Sequence, residues 1–559
     1  MFHVADKGQC ADRSESCDVL IIGSGGAALS AALRAAAAGL SVLIVEKSPL
    51  LGGTTAMSGG ATWVPANHYA RQAGIADSPE EALCYLRASA PPGWAATEEP
   101  LWRAFAYAAG EMLAFVEQYS PLRFALTDEG DPLAAFPGAK TCGRMLAPLP
   151  LAASWLGQRG LKLRPSPLPQ FYTYHETITE DIWHHPIAVA WRLSPSLFWR
   201  FARRLRTKGG ALITGLLAGC LARGCRIVTE AQVDSLRVAD SHRVIGARYR
   251  HRQQWVEVNA RCGVVIASGG FEGDSDRLGR HFPGPVDYIC SPPTNTGDGQ
   301  RMAEAIGAQM AHMDQANMGG AVPWRYQGQP YGLSVYFHYE PNVILVNRLG
   351  KRFTNEFIFN LGEVLDSRDK QGMPQHLPAW LVADSRLLQR SPILRLIVLR
   401  HRDWMIKADT LEALAAELSL PTDSLSDTIA RFNGFCAQGI DEDFHRERAT
   451  AHGKGDSRFH GGLLAINRPP YLAVPFNRSF LATKGGPRTD EYGRVRHRDG
   501  EIIHGLFCAG VAMANPIGSR AVGAGTTLGP NLTWGYICGR TLAEQAGKMP
   551  SRCHKEPAS

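Results

Sequence analysis

Residues 17–46 read CDVLIIGSGGAALSAALRAAAAGLSVLIVE, and this stretch decides the fold. An apolar run of strand length ends in a glycine turn, an alanine-rich helical segment follows, Gly39 stops it, and a second apolar run ends in Glu46. Strand, turn, helix and strand in that order make a βαβ unit, which sets two strands side by side in parallel. Gly23, Gly25 and Ala28 take the small-residue positions of GxGxxG/A. Missing side chains there allow a tight turn, close approach of a pyrophosphate and close packing of helix on strand. Amide groups at the helix start then face the phosphates. Glu46 lies 23 residues after Gly23, near the ~20-residue offset of the acid that accepts hydrogen bonds from a ribose. The unit predicts an α/β fold that binds an adenine dinucleotide.

After Glu46, Lys47-Ser48-Pro49-Leu50-Leu51-Gly52-Gly53-Thr54 leads into Thr55-Ala56-Met57-Ser58-Gly59-Gly60, a second loop rich in glycine and hydroxyl groups. Lys47, Gly53, Thr54, Ser58, Gly59 and Gly60 supply donors and bare backbone for a second phosphate or a flavin ring. Residues 501–510 (EIIHGLFCAG) read as an apolar strand ending in Ala-Gly, and residues 518–530 (GSRAVGAGTTLGP) precede a helix-compatible run from Leu532 to Leu542. A glycine-rich turn that opens a helix presents unpaired N–H groups, suited to the electron-rich edge of a reduced flavin. Gly269, Gly510, Thr527 and Leu528 complete the expected cofactor set.

Composition narrows the class. A chain of 559 residues holds more than one folding unit at ~100–200 residues each. Its 45% hydrophobic and 20% charged residues exclude disorder. A formal charge of +7 is too dilute over this length to predict a nucleic-acid partner. Twelve cysteines without a CxxC pair suggest neither a disulfide scaffold nor a zinc ribbon, and so a reducing compartment. Residues 1–7 (MFHVADK) lack the basic start and apolar run of a secretory signal. The longest apolar stretches are interrupted or fall short of the ~20 residues a membrane helix requires; a cytoplasmic protein without a span is expected. His184 and His185 are adjacent and diverge, with no third ligand spaced for zinc, so no metal is expected. Phe198 to Lys208, with Arg200, Arg203, Arg204 and Arg206 among aromatic residues, reads as a basic amphipathic helix, solvated or in peripheral membrane contact.

The EKxxxxGGT…SGG pattern after the first strand pair resembles the FAD-binding segment of the fumarate reductase and 3-ketosteroid dehydrogenase superfamily. Residues 264–271 (VVIASGGF), 296–299 (TGDG) and 346–356 (VNRLGKRFTNE) are similar to further superfamily elements in the same order. The resemblance implies FAD as cofactor and a Rossmann-like FAD-binding domain, residues 14–282 and 456–548, interrupted by an α+β substrate domain, residues 283–455. The active site is expected in the seam between them.

Residues 482–490 (ATKGGPRTD), GTTLGP and TWGY resemble the 3-ketosteroid dehydrogenase branch more than the fumarate branch, where a histidine stands in place of Thr483. Enzymes of that branch remove a proton alpha to a ring ketone and pass hydride from the beta carbon to flavin N5. Aligned by motif, three of their active-site tyrosines fall on Asn360, on Ala521 and near Pro132, whereas Gly525, whose amide helps to bind the ketone oxygen, carries over. Other tyrosines are expected to serve collectively instead: Tyr336 and Tyr339, shortly before the VNxxGkRF element, with Tyr288, Tyr326 and Tyr331 nearby in sequence. Arg520 introduces a cation suited to a substrate carboxylate; Arg386 has a counterpart in the fumarate branch.

The primary expectation is therefore an FAD-dependent dehydrogenase that introduces a C=C bond next to the ketone of a steroid or smaller alicyclic substrate, with Arg520, Tyr336, Tyr339 and Gly525 at the reacting centre. Reduction of an unsaturated carboxylate anchored by Arg520 is one alternative, and a non-catalytic flavin-binding redox protein is another. Electrons are expected to leave to a quinone or a carrier protein.

Overall fold

The computed structural model describes residues 13–157, 160–239, 243–448 and 462–547. The sheet predicted by the opening motif is built from β1 (Arg13–Ile22), β2 (Val42–Val45), β3 (Arg226–Val228), β4 (Gln254–Ile266) and β5 (Ile502–Cys508). They run parallel in the order 3-2-1-4-5, with Val19 opposite both Val42 and Gly263, and Val264 opposite Leu506. The strand order reverses between β1 and β4, and a ligand crevice forms at the carboxyl ends of the strands at such a point. Val19 to Ile22 are all buried, which is why they read as a continuous apolar run rather than an alternating one. An antiparallel hairpin, Ala231–Ala239 and Arg243–His251, extends from β4, and Arg494–Arg496 pairs with β5 at the edge.

Helix α1 (Gly26–Ala37) carries the alanine-rich segment, and its first eleven residues are buried. It is enclosed by α3 (Lys208–Ala222) and α4 (Leu528–Gln545), while α2 (Ala95–Tyr119) packs outside them. A side chain at Gly535 of α4 would lie 2.1 Å from the Ala27 carbonyl oxygen, so these two helices meet backbone to backbone. Ser30 Oγ donates to the Leu532 carbonyl across the same contact at 2.7 Å.

Between β4 and β5 stands a four-stranded antiparallel sheet in the order Val343–Asn347, Ala379–Asp384, Tyr471–Pro475 and Ile406–Ala408. Its period of two is clear in the cores: Val343 and Leu345 pack on one face with Leu394, Ile397 and Trp404, whereas Ile344 and Val346 pack on the other with Leu425, Ile429 and Phe432. The domain return expected at residue 456 lies outside the described residues. Tyr471–Pro475, beyond that point, still belongs to this sheet, because Leu472, Ala473 and Val474 fill both of its cores. Arg478–Thr483 then bridges the two halves, pairing with Val286–Ile289 and Ala316–Gly319.

The basic run beginning at Phe198 is not one helix. A helix spans Ser194–Ala202, the chain turns through Arg204 at φ +49°, Leu205–Arg206 forms a short strand, and Lys208 opens α3. Phe198 and Phe201 are exposed on this helix, as are Ile187 and Trp191 on the preceding helix Pro186–Arg192. Among the described residues no helix is long and apolar enough to cross a membrane.

Candidate active site

At the carboxyl ends of β1 and β4 the chain forms a cleft that opens to solvent. Gly23, Gly25, Glu46, Lys47, Gly53, Thr54, Ser58, Gly269, Gly510, Thr527 and Leu528 of the expected set line it. Ala28, Gly59 and Gly60 do not. Ala28 is buried inside α1, Gly60 backs onto the Lys208–Gly209 peptide, and Gly59 lies beneath the Tyr174 ring. Gly23 has φ +110°, and a Cβ there would fall 2.4 Å from the Ala267 carbonyl oxygen, so β1 and β4 approach at a distance only glycine permits.

The polar groups of the cleft are partly satisfied and partly left open. Glu46 accepts from Ser24 Oγ at 2.6 Å and from the Ser48 amide at 2.9 Å. Lys47 Nζ lies 2.7 Å from both Thr296 Oγ1 and Asp298 Oδ2. Ser268 Oγ, Asn531 Oδ1 and Arg164 Nε are buried in the same lining without a hydrogen-bond partner among the described residues. Buried polar atoms are rarely left unpaired, so these await a ligand's groups. A hydroxyl, an amide and a guanidinium, set beside a bare glycine turn and an acid at the ribose position, suit a dinucleotide's sugar and phosphates. Reading by motif missed Arg164, Ser268 and Asn531, which lie outside the family strings or at their least informative positions.

Gly525 is set in the turn before α4. It has φ +83°, and a Cβ would fall 2.7 Å from the Ala61 carbonyl oxygen. Its carbonyl accepts from the amides of Trp63 and Gly529, at 3.2 and 2.9 Å, while its own amide donates to no described residue. Trp63 is held in turn: its Nε1 donates to Asp131 at 2.8 Å, and Arg144 pairs with Asp131 and Asp77 at 2.8 and 2.6 Å, all buried. Behind the same turn Lys484 Nζ donates to the Gly518 carbonyl at 2.6 Å, and burial lowers this lysine to about 8.

Tyr336 and Tyr339 part company. Tyr339 is 5% exposed and sandwiched, with Phe357 stacked at 5.0 Å and Tyr336 at 5.4 Å. Tyr336, stacked on Tyr339, has 60% of its surface open. Desolvation, and then the charge of Glu129, raise its phenol above the ordinary tyrosine range. Glu129 also accepts from Tyr174 Oη at 3.1 Å and from Thr127 Oγ1 at 3.3 Å. Neither Tyr174 nor Glu129 was expected. The one available signal was that Glu129 stands three residues before Pro132, where a family tyrosine is missing.

The two other positions without a tyrosine meet each other. Asn360 Nδ2 donates to the Ala521 carbonyl at 3.1 Å and Oδ1 accepts from the Ala521 amide at 2.9 Å, a two-point clamp on the turn that carries Gly525. The VNxxGkRFxNE element supports that clamp through a buried network, Glu356 with Arg352 at 2.8 Å and with Arg446 at 3.1 Å. Arg520 is engaged with Glu363, Nε to Oε2 being 2.9 Å, and donates to the Ser89 carbonyl at 3.4 Å. Arg386 is occupied by Asp384 at 3.1 Å. His184 sets one ring nitrogen against Asp181 and the other against Glu340, at 2.6 and 2.5 Å.

Residues 18–528 match the FAD binding domain family. The 4-oxocyclohexanecarboxylate 2-dehydrogenase of Sinomonas cyclohexanicum is 37% identical over 554 residues, covering 95% of this chain and 93% of that protein. The 3-oxosteroid 1-dehydrogenase of Mycobacterium tuberculosis (strain ATCC 25618 / H37Rv) is 33% identical, covering 95% and 99%. The crystal structure of 3-ketosteroid delta1-dehydrogenase from Sterolibacterium denitrificans in complex with 1,4-androstadiene-3,17-dione superposes with a TM-score of 0.83 at 30% identity, over 95% of this chain and 99% of that one. The donor set of the cleft and these full-length likenesses agree on the cofactor, FAD, and the chain belongs to the FAD binding domain family as an FAD-dependent oxidoreductase close to the 3-oxosteroid dehydrogenase branch.

Proposed function

We propose that the protein desaturates a ring ketone, removing hydrogen from the carbons alpha and beta to the carbonyl to leave a conjugated C=C bond. The observation that carries this reading is the Gly525 amide, a donor without an acceptor among the described residues, in a turn fixed from three sides. Negative charge develops on the carbonyl oxygen as an alpha proton leaves, and a preset donor stabilises that charge more than it stabilises the neutral ketone. Bound FAD supplies the acceptor for the hydride from the beta carbon. This chain's residues do the rest: Gly525 holds the oxygen, Tyr336 presents a phenol on a stack of rings, and the Asn360 clamp keeps the turn in place. The names of the two relatives above both put the new double bond beside a ring ketone, one in a small keto acid and the other in a steroid.

Arg520 as the anchor of a substrate carboxylate requires Glu363 to release it, so reduction of an unsaturated carboxylate is the less supported reading. The external electron acceptor is a quinone or a carrier protein. The test is anaerobic titration of the yellow protein with 4-oxocyclohexanecarboxylate and with a 3-ketosteroid. Bleaching of the flavin band together with enone absorbance is the expected result, and the more effective ketone defines the ring class. No bleaching by either, with reoxidation of the dithionite-reduced protein by fumarate, transfers the enzyme to carboxylate reduction. Inertness to all three leaves a flavin-binding protein without this chemistry.

A further inference from the structure

Abstraction of an alpha proton needs a group that is basic at working pH, and the phenols of the cleft alone do not provide one. An ordinary phenol ionises near ~10 and a carboxyl near ~4.3, so at neutral pH a tyrosine is protonated and a glutamate is charged. Tyr336 is further from ionisation than an ordinary phenol, because desolvation and the Glu129 charge both raise it. A tyrosine accepts a proton under these conditions only by handing its own to a neighbour. Tyr174 has such a neighbour: its Oη donates to Glu129 Oε1 at 3.1 Å. Its ring lies on Gly59, where a Cβ would come within 3.0 Å of it, and Gly59 follows Ser58, which lines the cofactor cleft. Glu129 thus bonds a tyrosine that lies above the cofactor loop, and its charge acts on Tyr336.

Resting on the ketone-desaturation reading, we propose that Tyr174 and Glu129 form the proton-accepting pair of the reaction, with Tyr174 as the catalytic residue and Glu129 as the positioning residue that receives its proton. The alpha C–H bond breaks, its proton goes to Tyr174 Oη, and the Tyr174 proton passes to the Glu129 carboxylate. The electron pair left behind forms the enolate, whose oxygen the Gly525 amide holds. When the carbonyl reforms, the pair becomes the new C=C bond as hydride leaves the beta carbon for the flavin, which is the oxidant. Glu129 then returns its proton to water. The pair fills the role for which the missing family tyrosine near Pro132 left no residue.

The experiment isolates the proton step. The holoenzyme is reduced with dithionite, so that no hydride leaves, and the loss of deuterium from 4-oxocyclohexanecarboxylate labelled alpha to its ketone is followed by NMR. Wild type exchanges, and Glu129→Gln and Tyr174→Phe each lose it by about 10²-fold or more, the scale of a general base. In turnover with the oxidised enzyme the same variants lose kcat while KM and bound FAD stay near wild type. Glu129→Ala, rescued by formate, separates a lost proton acceptor from a disturbed fold: return of exchange with formate supports the pair. Exchange within threefold of wild type in either conservative variant, or no rescue, overturns it. A wild type that bleaches with ketone while the variants exchange normally removes the pair alone; a wild type that neither bleaches nor exchanges removes the reaction and the pair together.

Discussion

The two walls of the cleft are made of different material. The cofactor wall is mostly backbone, glycines packed where a side chain would collide, such as Gly23 at 2.4 Å from Ala267. The wall proposed to face the substrate is mostly side chains drawn from remote segments: Glu129, Tyr174, Tyr336 and the Asn360–Ala521 clamp. A wall of backbone constrains residue type at fixed spacing, whereas a wall of side chains can exchange a tyrosine for an asparagine and a carboxylate while keeping the cofactor where it was. Specificity can change on one wall without disturbing the other.

Four measurements test this contrast. The largest effect on the cofactor belongs to Gly23→Ala. A left-handed backbone costs a side-chain-bearing residue ~1–3 kcal/mol, and the collision with Ala267 adds to it, so FAD affinity falls by about 10²-fold or more. Fluorescence titration of the apoprotein with FAD checks this; retained affinity would deny the cofactor wall its backbone character. Next is Arg144→Leu, which leaves Asp77 and Asp131 buried without their cation. A loss of about 3–5 kcal/mol is expected, read as a lower melting temperature of the holoprotein, with activity falling faster than FAD content because Asp131 holds Trp63 against Gly525.

Lys484→Met carries a pH signature. The lysine binds its proton less tightly in the folded protein, at about 8, than at its ordinary value of 10.5. Between these values the unfolded chain holds more protons, so wild-type stability rises with pH across that window. Relative to the variant, the wild type should gain up to roughly 3 kcal/mol from pH 8 to pH 10.5, and thermal melts at both ends measure it. A difference independent of pH would mean that the ammonium is not desolvated. The smallest effect is that of Asn360→Ala, which releases two hydrogen bonds on the Gly525 turn. Each is worth ~0.5–1.5 kcal/mol, so kcat/KM should fall by about tenfold with FAD content unchanged, in steady-state assays paired with flavin absorbance.

The same contrast explains what the sequence discloses. Gly23, Gly25 and Glu46 are legible because a turn, a phosphate and a ribose each impose a residue type at a set offset. Tyr336 was within reach, since it stands just before a recognisable strand, but nothing in one dimension separates it from Tyr339, three residues away and 5% exposed. Arg520 stood out as an unusual charge, and its partner Glu363, 157 residues distant, could not be anticipated. Tyr174 and Glu129 are separated by 45 residues and touch only because a loop and the start of the helix Tyr174–Thr179 converge. The expected helix through Lys208 failed for a local reason, the left-handed turn at Arg204.

The contact between α1 and α4 has a consequence for how the protein is made. Ser30 bonds Leu532, 502 residues later, and β5 completes the sheet that β1 begins. At ~5–20 residues per second of synthesis, the first helix waits on the order of 25–100 s for its closest neighbour to emerge. During that interval the alanine and glycine face that meets α4 has no native cover, so FAD is expected to be acquired after translation, and the nascent chain should depend on chaperones until nearly its last residues.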